Sequence, residues 1–244
     1  MLTAQTIEKL HQLNLIGMLK ALEDQASLPN VGDLSFDERF GMLVDREWDF
    51  RESRRLQRRL KEAKLRQQAC IEDIDFRQPR GLDRSVVLSL SDCRWIKDGR
   101  NLLICGPTGS GKTFLSCAFG NKACRMGYKT LYVRTPRLLY DVSLSKGDGS
   151  YASLMRRLEK TDLLILDDWG ISPIGPEEAR DILEVLEDRS QTRSTLVASQ
   201  LPVGSWHDVI SDKTLADAIL DRLVHNAYRI ELKGDSMRKV LARP

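Results

Sequence analysis

A chain of 244 residues has room for one large domain, or for a core of ordinary size with a small appendage. Its 41% hydrophobic and 30% charged residues describe a soluble globular protein. No apolar run is long enough to span a bilayer and Met1-Leu2-Thr3 does not begin a signal peptide, so a cytoplasmic protein with no membrane partner is expected. Net charge is only +3, but it is unevenly spread: eight bases against Glu52 and Glu62 leave residues 51–66 at +6 and the rest of the chain at −3. Cys70, Cys93, Cys105, Cys117 and Cys124 are odd in number with no C-x-x-C pair, and read as reduced, mostly buried thiols. His11, His207 and His225 are too scattered for a metal site or a Ser/His/Asp triad.

Residues 1–66 read as a small all-helical N-terminal domain that binds DNA or a partner. Thr6 to Ala26 carries Ile7, Leu10, Ile16, Met18, Leu19 and Leu22 without a proline and predicts one helix, ended by Pro29-Asn30-Val31-Gly32. Ser35-Phe36-Asp37-Glu38 fits a capping box, in which the Ser35 hydroxyl accepts from the amide three residues on while Glu38 bonds back. Phe36, Phe40, Leu43, Val44 and Trp48 then recur at helical spacing and make one apolar face, and Leu56 and Leu60 carry the helix on through the basic block.

That block holds Arg51, Arg54, Arg55, Arg58, Arg59, Lys61, Lys64 and Arg66. A charge run is usually a solvated face with internal ion pairs, and an acidic protein partner is a further option. Here the acids are too few to pair the bases, which favours phosphate contacts: sequence-independent, salt-sensitive binding to duplex DNA.

Residues 67–99 form a linker and the edge of a nucleotide pocket, with the apolar members of Ile71-Glu72-Asp73-Ile74-Asp75-Phe76 placed to line an adenine site. Pro79-Arg80-Gly81 makes a turn and Asp83 to Ile96 a short helix.

From residue 100 to 244 strands and helices alternate. Strands are predicted at Asn101–Cys105, Lys129–Val133, Asp162–Asp167, Thr195–Ser199 and Tyr228–Leu232. Helices fall between them at Lys112–Met126, Thr135–Leu144 with Tyr151–Lys160, Glu177–Ser190 and Thr214–His225, and Lys146-Gly147-Asp148-Gly149-Ser150 reads as a mobile loop. This alternation implies an α/β fold, a five-stranded parallel sheet flanked by helices.

The first strand runs into Gly106-Pro107-Thr108-Gly109-Ser110-Gly111-Lys112-Thr113, which matches G-x-x-x-x-G-K-[ST] at every fixed position. The glycines let the backbone curl so that successive N–H groups point at phosphate oxygens, at the positive end of the following helix. Lys112 can then reach the β- and γ-phosphates and the Thr113 hydroxyl can ligate Mg²⁺, which makes ATP and Mg²⁺ the expected ligands. Leu163-Leu164-Ile165-Leu166 is apolar throughout, as a strand buried on both faces should be, and ends in Asp167-Asp168. Paired acids there can be a plain turn. Beside a phosphate loop they fit a second reading, Asp167 holding Mg²⁺ through its water shell and Asp168 activating the attacking water.

Several stretches together carry a family resemblance: the phosphate loop, Asp167-Asp168-Trp169-Gly170, Thr195-Leu196-Val197-Ala198-Ser199-Gln200 and Gly234-Asp235-Ser236-Met237-Arg238-Lys239. The chain resembles the AAA+ ATPases of the initiator and loader group, and most of all the IstB-type ATP-binding helpers of insertion-sequence transposition, a family related to the helicase loader DnaC. The resemblance implies a homo-oligomeric ATPase with nucleotide at subunit interfaces, acting with duplex DNA and a cognate transposase. It puts Gln200 at sensor 1, Arg222 at an arginine finger reaching the neighbouring subunit, and Arg238 at sensor 2. Gln200 as a strand cap, Arg222 paired with Asp217 or Asp221, and Arg189 or Arg193 as the finger are the alternatives. Two departures from the wider pattern are the shorter Asp168 where a catalytic Glu is usual, and an end soon after Arg238, which implies a reduced or absent C-terminal lid.

Overall fold

The computed structural model describes residues 4–27, 29, 31–234 and 237. Contacts divide the chain into two units, Met1–Arg58 and Arg59–Pro244.

The first unit is helical: α1 (Ala4–Gln12), α2 (Ile16–Ser27) and the greater part of α3 (Phe36–Ala63). The single helix expected over Thr6–Ala26 is two helices. Asn14 takes a left-handed backbone, φ 56°, and donates to His11 O while the Leu15 amide donates to Leu10 O, both at 2.9 Å. These two bonds are the Schellman pattern that ends helices, with Asn in the position glycine usually fills. The capping box before α3 forms as expected: Ser35 N donates to Glu38 Oε2 at 2.8 Å, and Glu38 N donates to Ser35 Oγ at 3.3 Å.

Glu47 of α3 caps α2 from outside. Its buried carboxylate accepts from Gly17 N at 2.7 Å and Met18 N at 3.1 Å, meeting the unpaired amides of the first turn. A Cβ on Gly17 would lie 2.6 Å from Arg46 O, so only glycine permits this approach. The face of α3 turned to α2 therefore carries Glu47 and the Arg39 carbonyl, which accepts from Gln25 Nε2. Phe36, Phe40, Val44 and Trp48 are exposed, Phe36 at 70% and Trp48 at 66%. The predicted apolar face exists, but of its five members Leu43 alone is half-buried and the other four are exposed.

The second unit contains the sheet. After α4 (Arg84–Leu90) and α5 (Arg94–Lys97) come β1 (Asn101–Cys105), α6 (Lys112–Arg125), β2 (Thr130–Arg134), α7 (Thr135–Asp148) and α8 (Tyr151–Glu159). Then follow β3 (Leu163–Trp169), α9 (Pro176–Arg189), β4 (Ser194–Ser199), α10 (Lys213–Val224) and β5 (Ala227–Glu231). All four pairings are parallel, in the order β2-β3-β4-β1-β5. Apolar clusters cover both faces, one built on Leu103, Leu164 and Val197, the other on Leu102, Ile104, Ile165 and Leu196. Each such fully buried side chain contributes about 1.5–3 kcal/mol, which is why the strands read as unbroken apolar runs.

Two local expectations change. The helix expected over Asp83–Ile96 is α4 and α5, broken at Cys93 with φ 59°. The predicted loop at 146–150 is largely helical: α7 runs on to Asp148, Lys146 pairs with the buried Asp181, and Gly149 at φ 77° forms the C-cap. Among the described residues all five cysteines are free thiols, four of them buried, and no helix is long and apolar enough to cross a membrane.

Candidate nucleotide and catalytic site

The loop of residues 106–113 joins the carboxyl end of β1 to the first turn of α6, the place where open parallel sheets bind ligands. Gly111 takes φ 100° just before the helix begins. Lys112 is buried and folds back over the loop, its ammonium donating to Gly106 O at 2.7 Å and Pro107 O at 2.8 Å. Burial holds the Lys112 pKa below its usual range, against the opposing pull of Asp167 and Asp168. A cation satisfied only by carbonyls in a half-dry site is one that an incoming phosphate can recruit. On the far side of the loop Thr108 Oγ1 lies 2.8 Å from Gln200 Oε1, so Gln200 is brought to the phosphate loop.

β3 lies two strands from β1, and its end is irregular. The β3–β4 register shifts between Leu166 and Trp169, and Asp168 has φ 57°. A bulge of this kind re-aims side chains next to a site. Asp167, 1% exposed, accepts from Thr113 Oγ1 at 2.8 Å, Tyr132 OH at 2.6 Å and the Asp168 amide at 2.9 Å. Asp168 accepts from Arg134 Nε at 2.5 Å and has Arg66 at 3.9 Å. Burial first, and then Asp167, raise the Tyr132 phenol pKa. Arg66 is held above its usual range, mainly by the Tyr132 hydroxyl.

Three of these residues escape a reading of the sequence motifs. Tyr132 and Arg134 sit on β2, and Arg134 pairs in register with Asp167. The available signal was position: Arg134 directly follows a predicted strand, at the end where ligands bind. Arg66 was expected on a DNA-binding helix, but α3 stops at Ala63, Lys64 turns left-handed at φ 51°, and Arg66 faces Asp168 instead.

A cavity of about 290 Å³ adjoins the loop, lined among others by Gln67, Asp73, Asp75, Arg80, Gly109, Lys112, Phe114 and Met237. The apolar members of the linker do not line it as expected: Ile71 and Ile74 turn into the core, and Asp73 and Asp75 face the cavity. Thr113 and Asp167 offer a hydroxyl and a carboxylate in contact, the hard oxygen donors Mg²⁺ takes. Among the described residues no group of three or more His, Cys, Asp or Glu could hold a metal unaided, so the remaining ligands would be phosphate and water.

The other predicted residues lie apart. Arg222 is at the opposite end of the sheet: its carbonyl accepts from Asn101 Nδ2 at the start of β1, and its guanidinium pairs with Glu187 at 2.5 Å and Asp221 at 3.6 Å. Arg189 is no candidate finger. It is 1% exposed and donates to the carbonyls of Leu158, Thr161 and Ser194, which makes it a strut between α8, α9 and β4. Arg193 pairs with Asp162 at 3.1 Å. Arg238 lies outside the described residues.

Of the basic block, Arg51, Arg54, Arg55 and Arg58 belong to the helical unit and are exposed, Arg51 pairing with Glu47 and Arg55 with Glu52. In the second unit Lys61 and Lys64 are exposed, whereas Arg59 donates to Cys124 O at 2.9 Å in the last turn of α6.

Comparison with known proteins decides the family. The model of the IstB-like ATP-binding proteins matches residues 8–243. The chain belongs to that family. It is 50% identical to the insertion sequence ATP-binding protein y4pL of Sinorhizobium fredii, over 98% of each chain. Among solved structures it is similar to DnaI, with a TM-score of 0.59 and 22% identity over 72% of this chain and 93% of that one. It is also similar to the DnaC helicase loader, with a TM-score of 0.56 and 14% identity over 68% and 97%. At these identities the likeness is one of fold: this member of the IstB-like family has a P-loop AAA+ core, preceded by helices.

Proposed function

We propose that this IstB-like protein is an ATP-hydrolysing regulator that oligomerises on duplex DNA and assists transposition, by selecting or remodelling target DNA and recruiting a transposase. The observation that carries the reading is the contact of Thr113 with Asp167, with Asp168 next along the chain, beside an intact phosphate loop in an insertion-sequence family. Lys112 and the loop amides of residues 106–113 bind the phosphates. Asp168 takes a proton from water, whose oxygen attacks the γ-phosphorus as ADP leaves, and Gln200 orients that water. Thr113 and Asp167 hold Mg²⁺, which when bound offsets phosphate charge.

Arg222, remote from its own loop, serves as a finger in trans and Arg238 as sensor 2, so hydrolysis depends on assembly. Arg51, Arg54, Arg55, Arg58, Lys61 and Lys64 supply weak phosphate contacts, which self-association multiplies. Domains follow the same division: helices for DNA or partner, linker, ATPase core.

The test is ATPase rate and particle size measured together, with and without random-sequence duplex DNA, at two salt concentrations. A rise in both that salt abolishes is expected. No response of either to DNA would remove the DNA-binding role.

A helicase-loader reading has one observation of its own, the exposed row Phe36, Phe40, Val44 and Trp48, which suits a protein partner better than a phosphate backbone. Co-purification of a replicative helicase that is lost in Phe40→Asp would favour it.

A further inference from the structure

The turn Pro79-Arg80-Gly81 carries a cation that the loop chemistry leaves unused. Arg80 is 5% exposed and lines the cavity beside Gly109, Gly111 and Lys112. One terminal nitrogen donates to Ser110 O inside the phosphate loop at 3.2 Å, the other to Asp75 O at 3.1 Å, and its Nε is buried with no partner among the described residues. The Asp75 carboxylate forms no ion pair with it, being turned to Arg77 Nε at 3.2 Å and the Arg77 amide at 2.9 Å. A Cβ placed on Gly111 would lie 2.5 Å from Arg80 Nη1, so the guanidinium rests directly against the loop. Burial lowers its pKa, and the opposing pull of the nearby Asp75 carboxylate does not make up the difference.

A buried guanidinium with no carboxylate bonded to it is costly unless something anionic completes it. The geometry points to Arg80 as a nucleotide ligand, giving a fixed positive charge to the phosphate chain from the linker side of the pocket. The assignment rests on the ATP-binding reading and extends it from the loop to residues 75–80. Lys112 is a flexible point charge that must leave two carbonyls to reach phosphate. Arg80 is held in place by its own hydrogen bonds before nucleotide arrives. A purely structural strut is the competing account, and the two differ in sign. Removing a strut strands its acceptors and weakens the empty protein, whereas Arg80→Gln removes the buried charge while its amide still offers a donor to the carbonyls, which leaves the empty protein as stable or more so.

The experiment measures binding of ADP and of inorganic pyrophosphate by calorimetry, and the nucleotide-free melting temperature, for the full chain and for Arg80→Gln and Arg80→Lys, with Lys112→Ala as the control for the loop. Expected in Arg80→Gln are about ten- to hundredfold weaker binding of both ligands, the weight of one charge-assisted hydrogen bond, and a melting temperature no lower than the parent's. Arg80→Lys should recover part of the affinity. Unchanged affinity in Arg80→Gln, or a loss accompanied by a lower nucleotide-free melting temperature, overturns the assignment. A parent chain that binds neither ligand, and does not differ from Lys112→Ala, overturns the ATP reading itself.

Discussion

Arg134 Nε lies 2.5 Å from Asp168 Oδ2, so the carboxylate proposed to activate water is already engaged by a neighbouring strand. The pairing follows from the parallel register that sets Arg134 beside Asp167, and from the bulge that turns Asp168 back toward it. A carboxylate held this way is a poorer acceptor for water until the ion pair opens. Arg134→Ala should therefore raise the basal ATPase rate without DNA by about two- to fivefold, the weight of one partly exposed ion pair. Asp168→Asn should retain ATP and trap the assembled state. Phosphate release and sedimentation read both effects; an Arg134→Ala rate at or below the parent's would mean that the pair assists catalysis and does not restrain it.

Asp167 has a structural duty that the metal-binding reading did not contain. Its carboxylate receives the Thr113 and Tyr132 hydroxyls and an amide at 1% exposure. Asp167→Ala strands those donors and should cost on the order of 2–4 kcal/mol even without nucleotide. Asp167→Asn keeps an acceptor and should stay within about 1 kcal/mol of the parent while losing hydrolysis. Urea titrations of the two variants separate the roles; equal stability of both would show that the hydrogen bonds contribute little.

How much was legible depended on whether a residue acts through its own motif or through its neighbours. The phosphate loop, both acids and all five strands could be read because apolar runs and fixed spacing are local signals. Arg134, Tyr132 and Arg66 could not, since strand order and a bulge bring them to the acids, and neither is written in the local pattern. Helical periodicity found the apolar row on α3 correctly but said nothing of which face packs. That choice was made by Glu47 and Gly17, a buried charge and a missing side chain that no hydrophobic count registers.

The arginines at the far end of the sheet divide by burial. Arg189 is enclosed and holds three backbone carbonyls, so Arg189→Ala should destabilise by about 3–5 kcal/mol, because acceptors inside the core lose their donor. Arg222 is partly exposed and its ion pair with Glu187 is replaceable; Arg222→Ala should stay within about 1 kcal/mol in stability. If Arg222 acts in trans, an inactive Arg222→Ala chain mixed with an inactive Lys112→Ala chain should regain activity, each lending what the other lacks. Mixtures no more active than either variant alone would remove Arg222 as the finger.

The cap that Glu47 places on α2 gives the helical unit a defined response to acid. Burial alone would raise this carboxyl's pKa, but the hydrogen bond from Arg51 and the amides of Met18 and Gly17 outweigh it, and the pKa lies below the ordinary 4.5. A group with a depressed folded pKa adds stability that is fully present above the unfolded value and is lost as pH falls through the folded one. At neutral pH, Glu47→Gln should therefore unfold its helices about 1–2 kcal/mol more easily than the parent, since it loses the charge and one acceptor oxygen. In acid, once pH has fallen below the folded pKa, both chains carry a neutral side chain there and the gap should close. Urea titrations followed by far-ultraviolet circular dichroism at the two pH values measure the difference directly. A gap that persists unchanged in acid would assign the cost to packing around Gly17, and coincident curves at neutral pH would show that solvent caps α2 equally well.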